Sequence, residues 1–344
     1  MSDLKKNNPL CLALEEQEWL LADGATGTQL FNMGLSSGDA PELWNETNRD
    51  KISKLYSDSI NAGCDLFLTN SFGSNRSRLK LHDAGSRAFL ISKIAAELAN
   101  EASQKNTGNI IVAGSMGPTG EIMHPIGPLS HEIAVEIFHE QAEGLKEGGV
   151  DVLWFETISS KEELKAAVEA AELANMPWCG TMSFDTAGRT MMGLTSPQMT
   201  NLITGMDKNL IAFGANCGVG ASDIIRTILG FQKTPNSYPI IAKGNAGIPK
   251  YINGHIHYNG TPELMADYAC LARDAGARII GGCCGTTPEH LIKMREALEN
   301  RPKGGKPNLE TIVKSLGEFS SKFDGTEENT VTARKTKRSR LKEI

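Results

Sequence analysis

The sequence predicts a closed (β/α)8 barrel on three observations. Eight short apolar runs alternate with amphipathic stretches over about 300 residues, a length such a barrel fills. The runs are apolar throughout rather than at every second position, as parallel strands buried on both faces are. Polar and thiol residues collect at the C-terminal ends of the runs, the rim where barrels of this kind build their sites. A doubly wound open sheet is the other arrangement that the alternation allows.

The strands are expected, in order, at 19–23 (Trp-Leu-Leu-Ala-Asp), 65–69 (Asp-Leu-Phe-Leu-Thr), 110–114 (Ile-Ile-Val-Ala-Gly) and 152–156 (Val-Leu-Trp-Phe-Glu). The second half supplies 178–183 (Trp-Cys-Gly-Thr-Met-Ser), 211–216 (Ile-Ala-Phe-Gly-Ala-Asn), 239–244 (Pro-Ile-Ile-Ala-Lys-Gly) and 278–282 (Arg-Ile-Ile-Gly-Gly). Each is β-branched, aromatic or otherwise apolar and ends in turn residues. Helical periodicity fills the gaps, clearest at 131–147, 161–174, 262–275 and 288–300. Ser196-Pro197, Thr261-Pro262 and Thr287-Pro288 each read as an N-cap followed by proline at the first helical position. The barrel is expected to span 18–302 as a single domain after an N-terminal extension at 1–17. A short packing segment at 303–319, helical over 310–317, and a disordered basic tail at 320–344 follow.

Composition narrows the function. The chain has 344 residues, 40% apolar and 22% charged, with a net charge of −6, enough for a large core and without a domain-scale basic footprint for nucleic acid. The basic run Arg334-Lys335-Thr336-Lys337-Arg338-Ser339-Arg340 is terminal and reads as solvated. No apolar stretch approaches the ~18 residues of a membrane span, and the first twenty residues lack the apolar core and cleavage site of a signal peptide. Seven cysteines, two of them adjacent, make a poor disulfide framework, so a reducing cytoplasm is expected. The sequence permits a homo-oligomer without specifying one.

Three of those cysteines end apolar runs. Cys283 and Cys284 lie between Gly282 and Gly285, and Cys217 follows Leu210 to Asn216. Thiolates converging from two strand ends suit zinc, with the fourth tetrahedral position open to a substrate thiol. Three thiolates make the centre electron-rich, better suited to carrying a nucleophilic thiolate than to hydrolysis. The flanking Gly281, Gly282 and Gly285 are expected to turn the backbone so that both adjacent sulfurs face one ion. Cys64, Cys179 and Cys270 read as small buried hydrophobes. Glu156, a carboxylate ending an apolar strand, is a second candidate. The spacing of Gly214, Gly218 and Gly220 fails the dinucleotide fingerprint, and His255 and His257 read as solvated loop residues.

Further segments carry a resemblance. Asp23-Gly24-Ala25-Thr26-Gly27-Thr28, Thr69-Asn70-Ser71-Phe72-Gly73, Gly117-Pro118-Thr119-Gly120, Phe155-Glu156-Thr157, Asn216-Cys217, Asn245-Ala246-Gly247 and Gly282-Cys283-Cys284-Gly285-Thr286-Thr287-Pro288-Glu289-His290 resemble, in order from about residue 18 to 300, the motifs of the zinc-dependent homocysteine S-methyltransferases. The chain is similar both to bacterial stand-alone betaine-homocysteine enzymes and to the homocysteine module of cobalamin-dependent methionine synthase. The resemblance implies a Zn2+ cofactor on Cys217, Cys283 and Cys284, and a homocysteine thiolate that attacks a methyl donor to give methionine. It also implies that Glu156 grips the substrate ammonium group, with Asp23, Gly24 and Thr28 at the amino-acid end and Asn70, Ser71, Asn216 and Asn245 as polar positioning groups.

The expected donor is a small onium compound, glycine betaine first, with dimethylsulfoniopropionate and S-methylmethionine as alternatives. An onium group is attracted to aromatic faces by about 0.5–2 kcal/mol each, and Trp44, Phe72, Phe31 and Phe184 are the candidates for such a box. Gly73 stands where the animal betaine enzymes carry tyrosine. That glycine resembles the methionine synthase module, whose methylcobalamin would here come from a corrinoid partner. The non-enzymatic alternative is a structural-zinc barrel that binds a thiol amino acid.

Overall fold

Parallel pairing of the apolar runs brings their C-terminal ends to one rim. The computed structural model describes residues 3–106, 108–206, 208–248, 250–252 and 255–324. Its strands are β1 (Leu20–Leu21), β2 (Leu66–Leu68), β3 (Ile111–Met116), β4 (Val152–Ile158), β5 (Trp178–Met182), β6 (Leu210–Cys217), β7 (Ile240–Gly244), β8 (Lys250–Ile252), β9 (His255–His257) and β10 (Ala277–Gly282). Eight of them form one sheet in the order β1-β10-β7-β6-β5-β4-β3-β2. A parallel bridge between Ala22 and Leu66 and the bond from Asp65 N to Leu21 O, 2.8 Å, join its two ends. The barrel is closed, and all eight expected strands are present.

The sequence reading missed β8 and β9, a short antiparallel hairpin after the seventh barrel strand. Its Gly/Asn-rich stretch carries too little apolar periodicity to register as strand. The side chains of 250–257 lie outside the described residues, and with them the expectation for His255 and His257.

The expected helices form at His131–Glu147, Lys161–Leu173, Pro262–Asp274 and Pro288–Asn300. Thr261 and Thr287 cap theirs as expected. One cap shifts: the N-cap of Ser196–Thr204 is Thr195, which forms a capping box with Gln198 and leaves Pro197 second in the helix. The C-terminal helix is Leu309–Leu316. Beyond it Ser320 N and Oγ donate to Asp223, at 3.0 and 3.1 Å, so the chain stays attached to the barrel past residue 319. The rest of the expected tail, from 325, lies outside the described residues.

The apolar surface divides into two layers. Helices cover the outside, while Leu20, Leu68, Ala113, Trp154, Cys179, Ala212, Ile241 and Ile279 fill the lower lumen. The helix Pro9–Glu16 closes that end, burying Leu10, Cys11 and Leu14 on the lumen cluster. Arg278 holds its exit by donating to Gln17 O and Glu18 O. The N-terminal extension is thus a plug that leaves the opposite rim as the open end. Gly214 shows how tightly the strands pack: a Cβ there would lie 1.9 Å from Ile241 O on the paired strand. Gly214→Ala is expected to cost about 3 kcal/mol or more, read as a lower denaturant midpoint; an unchanged midpoint would contradict this packing.

Candidate metal and substrate site

Strand register assembles the thiols. Cys217 and Gly282 both pair with Gly244, on opposite sides of β7. One strand therefore separates the ends of β6 and β10, and short side chains can close the gap. The Sγ atoms of Cys217, Cys283 and Cys284 all lie within 4.8 Å of one another, and no other group of this kind occurs among the described residues. Cys217 and Cys284 are 3.9 Å apart. Thiolates on a tetrahedral ion at about 2.3 Å stand roughly 3.8 Å apart, so the donor set fits zinc.

The expected role of the glycines is only partly met. Gly281 and Gly282 stay in β10, and their missing side chains make room for Ala22 and Thr286. The turn comes after them: Thr286 N bonds to Cys283 O at 3.2 Å, and Gly285 takes φ +81° with Tyr258 against its face. This turn breaks the strand alternation that would otherwise aim Cys283 and Cys284 to opposite sides. Cys217 itself has φ +60°, followed by Gly218 at +71°. A left-handed cysteine costs about 1 kcal/mol or more and marks a position held by its surroundings.

Asparagines do the holding. Asn245 Oδ1 accepts from Cys284 N (3.1 Å) and its Nδ2 donates to Gly218 O (3.0 Å), tying both cysteine turns to one side chain. Asn216, fully buried, accepts at Oδ1 from Thr157 N and Thr181 Oγ1, both 2.8 Å. Its Nδ2 reaches Thr157 Oγ1 at 2.8 Å and Cys283 Sγ at 3.9 Å. Cys217's contact with Cys283 pulls its pKa down, but Cys284 and burial outweigh it and push the thiol up to about 12. Cys284 likewise rises to about 12: its contact with Cys217 lowers it, and Cys283 and burial raise it further. The Cys283 thiol is pushed up as well, by Cys217 and by burial, with Cys284 opposing.

Glu156 lies on β4 where the register with β5 shifts between Phe155 and Ile158. The irregularity places Thr157 at φ +61°. Bulges of this sort re-aim side chains beside active sites. Glu156 Oε1 accepts from Ser115 Oγ. Burial raises its pKa, opposed by the charge of Lys243 and by Ser115. Lys243, on β7, is buried and donates to Asp23 Oδ1, while Asp23 Oδ2 accepts from Leu68 N at 2.9 Å. Burial works against the Lys243 cation, but Asp23 and Glu156 prevail and its pKa is raised.

The sequence reading missed Lys243. Its signal was the one that singled out Glu156, a charge in an otherwise apolar strand. Ser115 and Thr181 were given no role in the sequence reading, and Thr157 entered it only as the last residue of the Phe155-Glu156-Thr157 motif.

The remaining candidates have other surroundings. Gly24 packs on Thr286, whose Oγ1 would lie 2.6 Å from a Cβ, and Thr28 Oγ1 accepts from Gly285 N at 3.2 Å. Asn70 exchanges bonds with Asn45, and its backbone N donates to Tyr56 OH at 2.7 Å. Ser71 Oγ donates to Ser115 O at 2.7 Å. Among the described residues none of the four aromatic candidates forms a ring pair with another. Phe31 is 52% exposed, and Phe184 is buried edge-on to Phe231 at 5.6 Å. Lys51 Nζ lies 4.5 Å from the Trp44 ring centre, and the Arg78 guanidinium 5.5 Å from that of Phe72. Glu42 fills the space beside Gly73: its carboxylate accepts Gly73 N at 2.7 Å and would stand 2.8 Å from a Cβ.

The family model for homocysteine S-methyltransferase matches residues 20–298. The chain belongs to this family. Methionine synthases of Mycobacterium leprae and Mycobacterium tuberculosis are each 28% identical, over 317 and 301 residues. Those alignments cover 86% and 83% of this chain but 26% and 25% of the relatives, so the chain spans about a quarter of their length. Among solved structures, the homocysteine methyltransferase MmuM from Escherichia coli in its oxidised form is 25% identical, with a TM-score of 0.70 over 84% of this chain and 99% of that one. As expected from the sequence, this family member is a barrel; no described helix is long and apolar enough to cross a membrane.

Proposed function

We propose that this protein methylates the sulfur of homocysteine to form methionine, with zinc held by Cys217, Cys283 and Cys284. The observation that carries the reading is the meeting of three thiols on the same rim as a half-buried carboxylate, Glu156. Zinc bound there supplies the substrate sulfur as a thiolate at neutral pH. Glu156 receives the ammonium group, and the Gly24 and Thr28 segment lies beside the cysteine turn where the amino-acid end would rest. Asn216 and Asn245 keep the cysteine turns in register. The sulfur lone pair forms the new S–CH3 bond as the donor's bond to that methyl breaks, its electron pair staying on the departing donor atom, which is nitrogen in glycine betaine.

The donor proposed first is glycine betaine, an onium compound attracted to aromatic faces. A second reading, methylcobalamin delivered by a corrinoid partner, is favoured by the cations already over Trp44 and Phe72 and by Glu42 occupying the space beside Gly73. The test is methionine formation by the zinc-loaded protein from homocysteine with glycine betaine, dimethylsulfoniopropionate, S-methylmethionine or methylcobalamin. Turnover with one donor assigns it. Zinc-loaded protein that binds homocysteine and turns over none of them would leave the thiol-amino-acid binding barrel in its place.

A further inference from the structure

The buried charges beneath the thiols outnumber what a carboxylate site for one ammonium group requires. Asp23 and Glu156 bring two carboxylates, and Lys243 brings one cation. Lys243 is 2% exposed, its Nζ bonds to Asp23 Oδ1, and it lies 5.9 Å from the Trp154 ring centre. Asp23 has little left to offer a ligand, because its second oxygen takes Leu68 N at 2.9 Å. Glu156 has one bond from a side chain, that of Ser115. The cluster therefore carries one uncompensated negative charge, and that charge belongs to Glu156.

We infer that Lys243 is a positioning residue that sets acceptor specificity: by holding Asp23 in an ion pair it reserves Glu156 for a single cationic group, so the site selects a thiol bearing one ammonium group. This rests on the proposed function and changes one part of it, making Asp23 the anchor of Lys243 and no contact of the substrate. The like charge of Asp23 raises the Glu156 pKa and the charge of Lys243 lowers it, so removing Lys243 would favour a protonated Glu156, whose proton an incoming ammonium group would have to displace. With Lys243 in place its charge opposes that shift. A buried ion pair of this kind is weak evidence of added stability.

The test uses full-length, zinc-loaded protein and compares binding of homocysteine with 4-mercaptobutanoate, the same thiol without the amino group. The native protein is expected to prefer homocysteine about tenfold or more, the worth of one charge-assisted hydrogen bond. Lys243→Met is expected to reduce that preference several-fold while zinc content stays at the native level. Asp23→Asn combined with Lys243→Met removes both members of the ion pair and leaves Glu156 as the lone charge, so the preference is expected to return. A preference unchanged in the single variant, with only the melting temperature lowered, would make Lys243 structural and overturn the inference. Failure of the double variant to recover would overturn it as well, by making Asp23 a substrate contact. If the native protein binds neither thiol, it is the proposed function that fails.

Discussion

On the proposed ligand set, Cys284→Ala is expected to leave a folded barrel that no longer retains zinc. Sites of this type are worth about 10–16 kcal/mol in full, so losing one of three protein ligands should weaken zinc by more than about a hundredfold. Cys217→Ala should behave the same way, because its sulfur lies 3.9 Å from that of Cys284 and the set has no spare donor among the described residues. The fold should survive, since all three side chains sit at the rim and are only partly buried. Metal analysis after chelator challenge, beside the circular dichroism melt, checks both statements. Full metal in both variants would refute the ligand set. The raised pKa values of Cys217 and Cys284 add a sign: zinc must displace protons from neutral thiols, so uptake should acidify a weakly buffered solution, and affinity should fall as pH is lowered.

Glu156→Gln is expected to raise the KM for homocysteine by about 10- to 100-fold, the worth of a hydrogen bond to a charged group in a buried setting, with a smaller change in kcat. Glutamine keeps the shape and the bond from Ser115 but has no charge for an ammonium group. Lys243 retains Asp23 as its partner, so no orphaned cation is left to unfold the barrel. Steady-state kinetics with the donor saturating separates the two constants. An unchanged KM would remove Glu156 from the substrate site.

Much of this was legible because strand and rim are local properties. A run such as Val152 to Phe155 can be buried on both faces only in a parallel sheet covered by helices, and a charge at its end must lie on the rim. Cys283 and Cys284 between glycines, and Cys217 at another strand end, were legible for the same reason. Lys243 satisfied the same rule, but for lysine the signal is weaker, since in an apolar strand it can carry its charge out to solvent along a flexible stem. Only the barrel lumen denies it that exit. The aromatic candidates fared differently: ring type is visible in a sequence, but what already covers a ring's face is not. Lys51 over Trp44 is a close neighbour in the chain, while Glu42 beside Gly73 comes from a separate turn.

By itself the sequence determined the alternation of strand and helix, the rim on which chemistry collects, and the thiol and carboxylate groups available there. Those follow from periodicity and turn chemistry within a few residues. Only the tertiary structure decided that three sulfurs meet, through the register of Cys217 and Gly282 on either side of Gly244, and that Asp23 faces Lys243 across 220 residues of chain. Both depend on how the sheet closes. Closure fixes which strand ends become neighbours, and a charge sealed inside a closed barrel must find its partner there because water cannot serve as one.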